Sequence, residues 1–271
     1  IWEDKSKPDV FGMIAFKVGS VDDPEQYTGL AHYLEHVMFK GTQTIDALDW
    51  EKEKPIYEKI IAKYDERAAL SDPAAREAID KEINDLTREA AQYAAGNEFS
   101  LLVDHMGGQG LNASTGYDQT EYHNSFPPSQ LEKWLEIYSE RLIDPVFRGF
   151  QTELEAVYEE YNMYNDDRGS RMREFIYEQA FGDHPYARPI IGLPEHLKNP
   201  QLSKLIDFYN TWYGPQNMSI ILVGNIDAKE AIPMIRDKFE RVPRRAEIHR
   251  EKKPVRQFKG RTEKSAKIFY Y

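Results

Sequence analysis

The spacing of apolar and polar residues changes several times along the chain, and each change marks an element. Residues 10–19 (VFGMIAFKVG) are almost continuously apolar with turn residues after them, which predicts a buried strand. Asp22, Asp23 and Pro24 break the chain, and a helical period then runs from about Thr28 to Phe39, stopped by Gly41. Residues 50–70 and 74–95 are two charged helical patterns. Between them Ser71, Asp72 and Pro73 offer an N-cap and a first-turn proline. Ile60, Ile61, Ile79, Ile83 and Leu86 form an inner stripe, so residues 50–96 read as a solvent-exposed helical hairpin, an insertion of a kind that seldom carries chemistry.

Residues 98–106 predict a short helix, and 107–110 (GGQG) a flexible turn. Residues 112–123 (NASTGYDQTEYH) alternate in a way that predicts strand pairing. An amphipathic helix over 129–142 follows Pro127 and Pro128 and is broken by Asp144 and Pro145. A helix rich in acids covers 153–165. Composition shifts at 183–186 (DHPY). Helices at 201–213 and 228–239 then flank a buried strand at 217–224, with a charged linker at 244–253 and an apparent strand at 267–271. Strands that pair over long separations, with runs of helices between them, predict an α+β fold with a mainly antiparallel sheet flanked by helices. One lobe extends to about residue 190, and residues 191–271 start a second, truncated one. The abrupt start at Ile1 and Trp2 suggests a piece of a longer chain.

Composition narrows the chemistry. With 271 residues, 41% of them hydrophobic, the chain can bury one large core or two smaller ones. A net charge of -11 argues against nucleic acid and anionic membrane surfaces as partners. No apolar run approaches the length of a membrane span, and no signal peptide is visible. The absence of cysteine removes disulfides and thiolate metal sites and leaves His and carboxylates as the only strong ligands. It fits the cytoplasm and the bacterial periplasm equally.

Within the first helical pattern lies His32-Tyr33-Leu34-Glu35-His36, an H-x-x-E-H sequence. Positions i and i+4 share one face of a helix, so both imidazoles can reach one metal ion. Glu35, beside the second histidine, is placed to take a proton from water. A catalytic zinc takes three protein ligands, and a carboxylate is the expected third. The acidic helix at 153–165 offers Glu153, Glu155, Glu159 and Glu160. Glu153 and Glu160, seven apart, share a face, so one could bind metal while the other orients a ligand, although such helices are often merely solvated. His105, His123, His184, His196 and His249 have no i, i+4 partner and read as structural or exposed.

Several stretches in order resemble one family. Residues 19–42 (GSVDDPEQYTGLAHYLEHVMFKGT), with H-x-x-E-H and the following Phe-Lys-Gly-Thr, resemble the pitrilysin/insulinase family of zinc metallopeptidases. Residues 110–115 (GLNAST) look like its N-A-x-T edge strand, and 153–160 (ELEAVYEE) its distal glutamate helix. Residues 183–186 (DHPY) and 212–218 (WYGPQNM) resemble its later landmarks. The resemblance implies a pitrilysin/mitochondrial-processing-peptidase-like half with one zinc on His32, His36 and Glu160. It implies that Glu35 is the general base and Glu153 the supporting acid, and that Asn112, Ala113 and Thr115 lie on the strand that receives an extended peptide substrate. It further implies a homologous second half, on the same polypeptide or another, and makes the periplasm a candidate compartment. Two departures stand out. The interval of 124 positions from His36 to Glu160 is long, as the hairpin would explain, and the family's opening Asn-Gly-Leu strand is missing. The alternatives are a non-catalytic partner subunit of the same fold, which would bind metal or peptide without hydrolysis, and an unrelated metal enzyme or structural zinc domain, for which no fourth ligand stands out.

Overall fold

A computed structural model of the chain describes residues 1–245 together with Glu247, Ile248 and Arg250. Its strands are β1 (Trp2–Glu3), β2 (Val10–Phe16), β3 (Gln109–Thr115), β4 (Thr120–Phe126) and β5 (Met218–Gly224). Its helices are α1 (Leu30–Val37), α2 (Trp50–Ala69), α3 (Pro73–Ala90), α4 (Glu98–His105), α5 (Leu131–Glu140), α6 (Phe150–Asp166), α7 (Arg168–Phe181), α8 (Pro194–Leu197), α9 (Leu202–Trp212) and α10 (Ala228–Phe239). The architecture is α+β, as the pattern predicts. One sheet has the order β1-β5-β2-β4-β3, antiparallel throughout except for the short parallel pairing of β1 with β5.

In β2 and β4, buried positions alternate with half-buried ones, so one face of the sheet meets the helical core. Helix α5 seats Trp134 against that face over Gly12, where an added Cβ would sit 2.5 Å from the indole ring. The Trp134 ring stacks on Phe126 and Tyr138. Asn124 Oδ1, buried in β4, accepts hydrogen bonds from Trp134 Nε1 (2.8 Å) and Tyr138 Oη (2.7 Å), so the polar group costs little to bury.

The structure adds to the pattern in some places, and some expectations fall outside what it describes. Strand β5, beyond the expected lobe boundary near residue 190, pairs with β2 along its whole length, from Phe16 opposite Met218 to Val10 opposite Gly224. The first lobe's sheet therefore extends past that boundary. The strand expected at 267–271 and five of the ten linker residues at 244–253, His249 among them, lie outside the described residues. The hairpin is present as α2 and α3, capped by Asp49 and Asp72, but it is not a free excursion. Ile56, Ile60, Tyr64, Ile79 and Ile83 are buried, Ile61 and Leu86 pack against them, and Ser203 Oγ donates to Asp65 across to α9. Helix α7 has no counterpart in the predicted elements.

Candidate metal centre

The residues before α1 define where it starts. Gly29 takes a left-handed conformation (φ 89°), and its N–H donates to Asp23 Oδ2 (2.7 Å) while the Ala31 N–H donates to Oδ1 (2.9 Å). The helix thus begins at Leu30, two residues later than the pattern suggests. Its apolar side (Ala31, Leu34 and Val37, all fully buried) fixes its rotation. His32 and His36 are thereby brought together, with ring centroids 4.8 Å apart and planes at 75°. In α6, Leu154 and Val157 are buried, which turns Glu153 and Glu160 toward α1.

The three expected ligand side chains converge. His32 Nε2 and His36 Nε2 each lie 3.5 Å from Glu160 Oε2, and one donor atom from each residue lies within 4.8 Å of the others. Donor atoms about a tetrahedral zinc at roughly 2.0–2.1 Å would be about 3.3 Å apart, so two of the three separations already suit such an ion. His32 Nδ1 is buried without a hydrogen-bond partner, so the cluster is the polar environment of that ring.

The charges suit a cation. Burial, with the neighbouring His36, pulls the His32 pKa down to about 4, against the pull of Glu160, so the ring is neutral at neutral pH and keeps one nitrogen with a free lone pair. Burial opposes the charged form of His36 as well, but hydrogen bonds to Glu153 and Glu160 outweigh it and push the pKa up to about 9. Positive charge is therefore already favoured at this point. The hydrogen bond from His36 holds the pKa of both Glu153 and Glu160 below the usual range. Glu153 Oε2 stands 3.5 Å from His36 Nδ1, the nitrogen away from the cluster, and Lys40 Nζ pairs with Glu153 Oε1 at 2.5 Å.

Glu35 accepts a 2.5 Å hydrogen bond from Thr115 Oγ1. Burial raises its pKa, moderated by Thr115 and His36. Strand β3 forms an edge of the sheet and pairs only with β4 among the described residues. On β3, Asn112 is exposed, Ala113 buried and Thr115 half-buried. Two cavities of about 390 and 450 Å³ share His32, Glu35, Ala113 and Glu160, and so both adjoin the cluster beside β3.

Known proteins resemble this chain over most of its length. The model described as "Insulinase (Peptidase family M16)" matches residues 2–54 and 86–193, more than half the chain. The chain belongs to peptidase family M16. The M16 match skips most of α2 and α3, and a second model, "Peptidase M16 inactive domain", covers residues 201–271; the sheet draws strands from both matched stretches. An uncharacterized zinc protease of Mycobacterium leprae is 26% identical over 224 residues, which is 82% of this chain and 39% of that protein. The probable zinc protease PqqL of Escherichia coli is 27% identical over 236 residues, 83% of this chain and 20% of that protein. The chain thus spans well under half the length of these relatives. The solved structure of PqqL superposes with a TM-score of 0.69 at 23% identity over 94% of this chain and 24% of that one. An M16 inactive domain from Pseudomonas fluorescens reaches 0.68 at 14%, over 93% of this chain and 50% of that one. Active-type and inactive-type domains share this fold, so the side chains must distinguish them.

The sequence pattern brought the histidines, Glu35, Glu153 and Glu160 into view, but not four of their neighbours. Asp23, Lys40 and Tyr164, which hydrogen-bonds Glu160, were missed, and Thr115 was placed only on the substrate strand although its hydroxyl binds Glu35. Lys40 lies just beyond α1 and pairs with Glu153, 113 positions away, so no local spacing flags it. Asp23 is six residues from Gly29, too far for a capping signature. Among the described residues the other histidines lie elsewhere. His196 Nδ1 contacts Thr28 Oγ1 (2.8 Å), and His184 Nδ1 accepts from the Tyr186 N–H. No helix among the described residues is long and apolar enough to cross a membrane.

Proposed function

We propose that this chain is the metal-bearing half of a zinc endopeptidase that cleaves extended or unfolded peptides. The observation that carries the reading is the convergence of His32 Nε2 and His36 Nε2 on Glu160 Oε2, with Glu35 and the open edge of β3 alongside. In this reading His32, His36 and Glu160 hold one zinc ion per chain. When bound, zinc acidifies water and polarises a carbonyl. Glu153 fixes the His36 ring through Nδ1, which leaves Nε2 for the metal. Glu35 is the general base. Thr115 occupies one carboxylate oxygen, and burial, by raising the Glu35 pKa, favours taking the proton from water, which Glu35 then hands to the leaving amine. Asn112, Ala113 and Thr115 belong to the edge that a peptide extends as an added strand, held by its backbone with little regard to sequence. A homologous second half, on the same or another polypeptide, completes the chamber, as the length of the relatives suggests.

Elemental analysis of the purified chain and of Glu160→Gln tests the ligand set. The expected result is about one zinc per wild-type chain and a loss of most of it in the variant. Zinc-free wild type after zinc is supplied would remove the reading. Glu35→Gln should keep its zinc and lose at least ~100-fold in peptide cleavage when assayed with the complementary half. The second reading, a non-catalytic partner subunit, is favoured by the inactive-domain match at 201–271. Zinc binding without hydrolysis beside the complementary half would select it.

A further inference from the structure

The insertion is bonded to the metal centre. Glu53, near the start of α2, is the most buried carboxylate among the described residues, 1% exposed. It holds Arg148 in a two-pronged pair, Nε to Oε1 at 2.6 Å and Nη2 to Oε2 at 2.8 Å. Arg148 Nη1 donates to the carbonyl oxygens of Lys40 (3.2 Å) and Ile45 (3.4 Å), just beyond the end of α1. The Lys40 side chain runs on to Glu153, and Glu153 to His36. One helix therefore reaches a metal-centre histidine through the ion pair of Glu53 with Arg148, the backbone carbonyl of Lys40, and the side-chain contacts of Lys40 with Glu153 and of Glu153 with His36.

Helix α2 also braces the other side of the cluster. Tyr64 Oη donates to Gln151 Oε1 (3.2 Å), and its ring meets Phe150 edge-on at 4.8 Å. Gln151 and Phe150 open α6, the helix of Glu153 and Glu160. The Tyr57 hydroxyl accepts the Phe147 N–H in the segment leading to α6. Tyr57 and Tyr64 lie in the stretch that the M16 match skips, while Glu53, at the start of the same helix, lies inside the match. A buried ion pair seldom adds stability over apolar packing, because desolvation offsets the attraction. What such a pair does fix is geometry.

We infer that α2, through Glu53, Arg148 and Lys40, positions the His32/His36/Glu160 cluster, making the insertion a part of the metal centre. The inference rests on the zinc reading above. Glu53 and Lys40 are positioning residues, since neither touches substrate or metal. Loss of outer contacts of this kind typically weakens metal affinity 10–100-fold.

The test is zinc affinity, measured by competition with a chromophoric chelator on protein shown to be folded by circular dichroism. Glu53→Gln, of the same shape and still able to accept from Arg148, should weaken zinc binding about tenfold. Lys40→Met should weaken it similarly. In the Lys40→Met background, adding Glu53→Gln should change affinity little, because the path is already cut. Tyr64→Phe, which removes one hydroxyl and keeps the fold, should weaken zinc binding by a smaller factor. Unchanged affinity in Glu53→Gln with only a lowered melting temperature would show a purely structural pair and overturn the inference while the zinc reading stands. Additive effects of the two substitutions would also overturn it, since they would mean independent action. Wild-type protein that takes no zinc removes both.

Discussion

At its N-terminus α1 meets one buried carboxylate, Asp23, which accepts from the first free N–H groups. At its C-terminus it meets two largely buried guanidiniums, Arg141 donating to Met38 O (3.0 Å) and Arg148 to Lys40 O. Both arrangements match the helix dipole, negative charge at the positive end and positive at the negative end. They differ in permanence. Arg141 is caged by the rings of Phe39, Phe99, Tyr122 and Tyr138, and although burial lowers its pKa, a guanidinium keeps its proton. Burial instead pushes Asp23 up to about 7, against the two N–H groups and Arg188. The end of α1 nearer His36 is thus held by charges that pH does not remove, and the far end by one that titrates. If, as proposed, α1 presents two imidazoles to one metal ion, it is anchored most firmly where the second one sits.

Breaking the permanent end should have the largest effect. Arg148→Met leaves Glu53 as an uncompensated buried charge, for which about 3–5 kcal/mol is expected, read as the free energy of urea unfolding. Replacing both partners, Glu53→Leu with Arg148→Met, should recover most of that loss. If the double variant is as unstable as the single one, the pair contributes packing that the charges do not explain. At the other end, Gly29→Ala places a Cβ 2.6 Å from Ile191 O in a left-handed conformation. About 3 kcal/mol is expected, and a variant within 1 kcal/mol of wild type would mean that the entry to α1 yields where the exit does not.

How far these features could be read from the sequence follows from the range of the interactions involved. The H-x-x-E-H face, the paired glutamates one face apart on α6, and the hairpin with its Asp72-Pro73 cap are local patterns, and local patterns survive into the structure. Helix α7 escaped because it buries no residue and so shows no apolar stripe. Its only sequence mark is Asp167, which accepts from the Ser170 N–H (2.6 Å). The contacts that hold the site in place are different in kind. Glu53 and Arg148 are 95 residues apart and Thr115 and Glu35 are 80 apart, while Lys40 reaches Glu153 across the whole hairpin. No period or spacing reports such pairs. The same holds for β1, two exposed residues whose strand character comes only from β5, more than two hundred positions on.

The titratable end gives the smallest and most specific effect. An exposed Asp has a pKa of 3.8, and Asp23 in the folded chain is near 7, so between these values the folded state binds the proton that the unfolded state releases. Stability from this group is therefore fully present below about pH 4, falls as pH rises, and is lost above about pH 7. The slope is at most about 1.4 kcal/mol per pH unit. Asp23→Asn keeps one acceptor and cannot ionise, so its stability should lack this decline. Urea unfolding of both proteins at intervals from pH 4 to 8 gives the difference curve. Wild type should lose stability relative to the variant across that window. Parallel curves would mean that the two N–H groups and the helix terminus hold Asp23 ionised against burial. The two ends of α1 would then be anchored with equal permanence, and the asymmetry between them would lie in geometry alone.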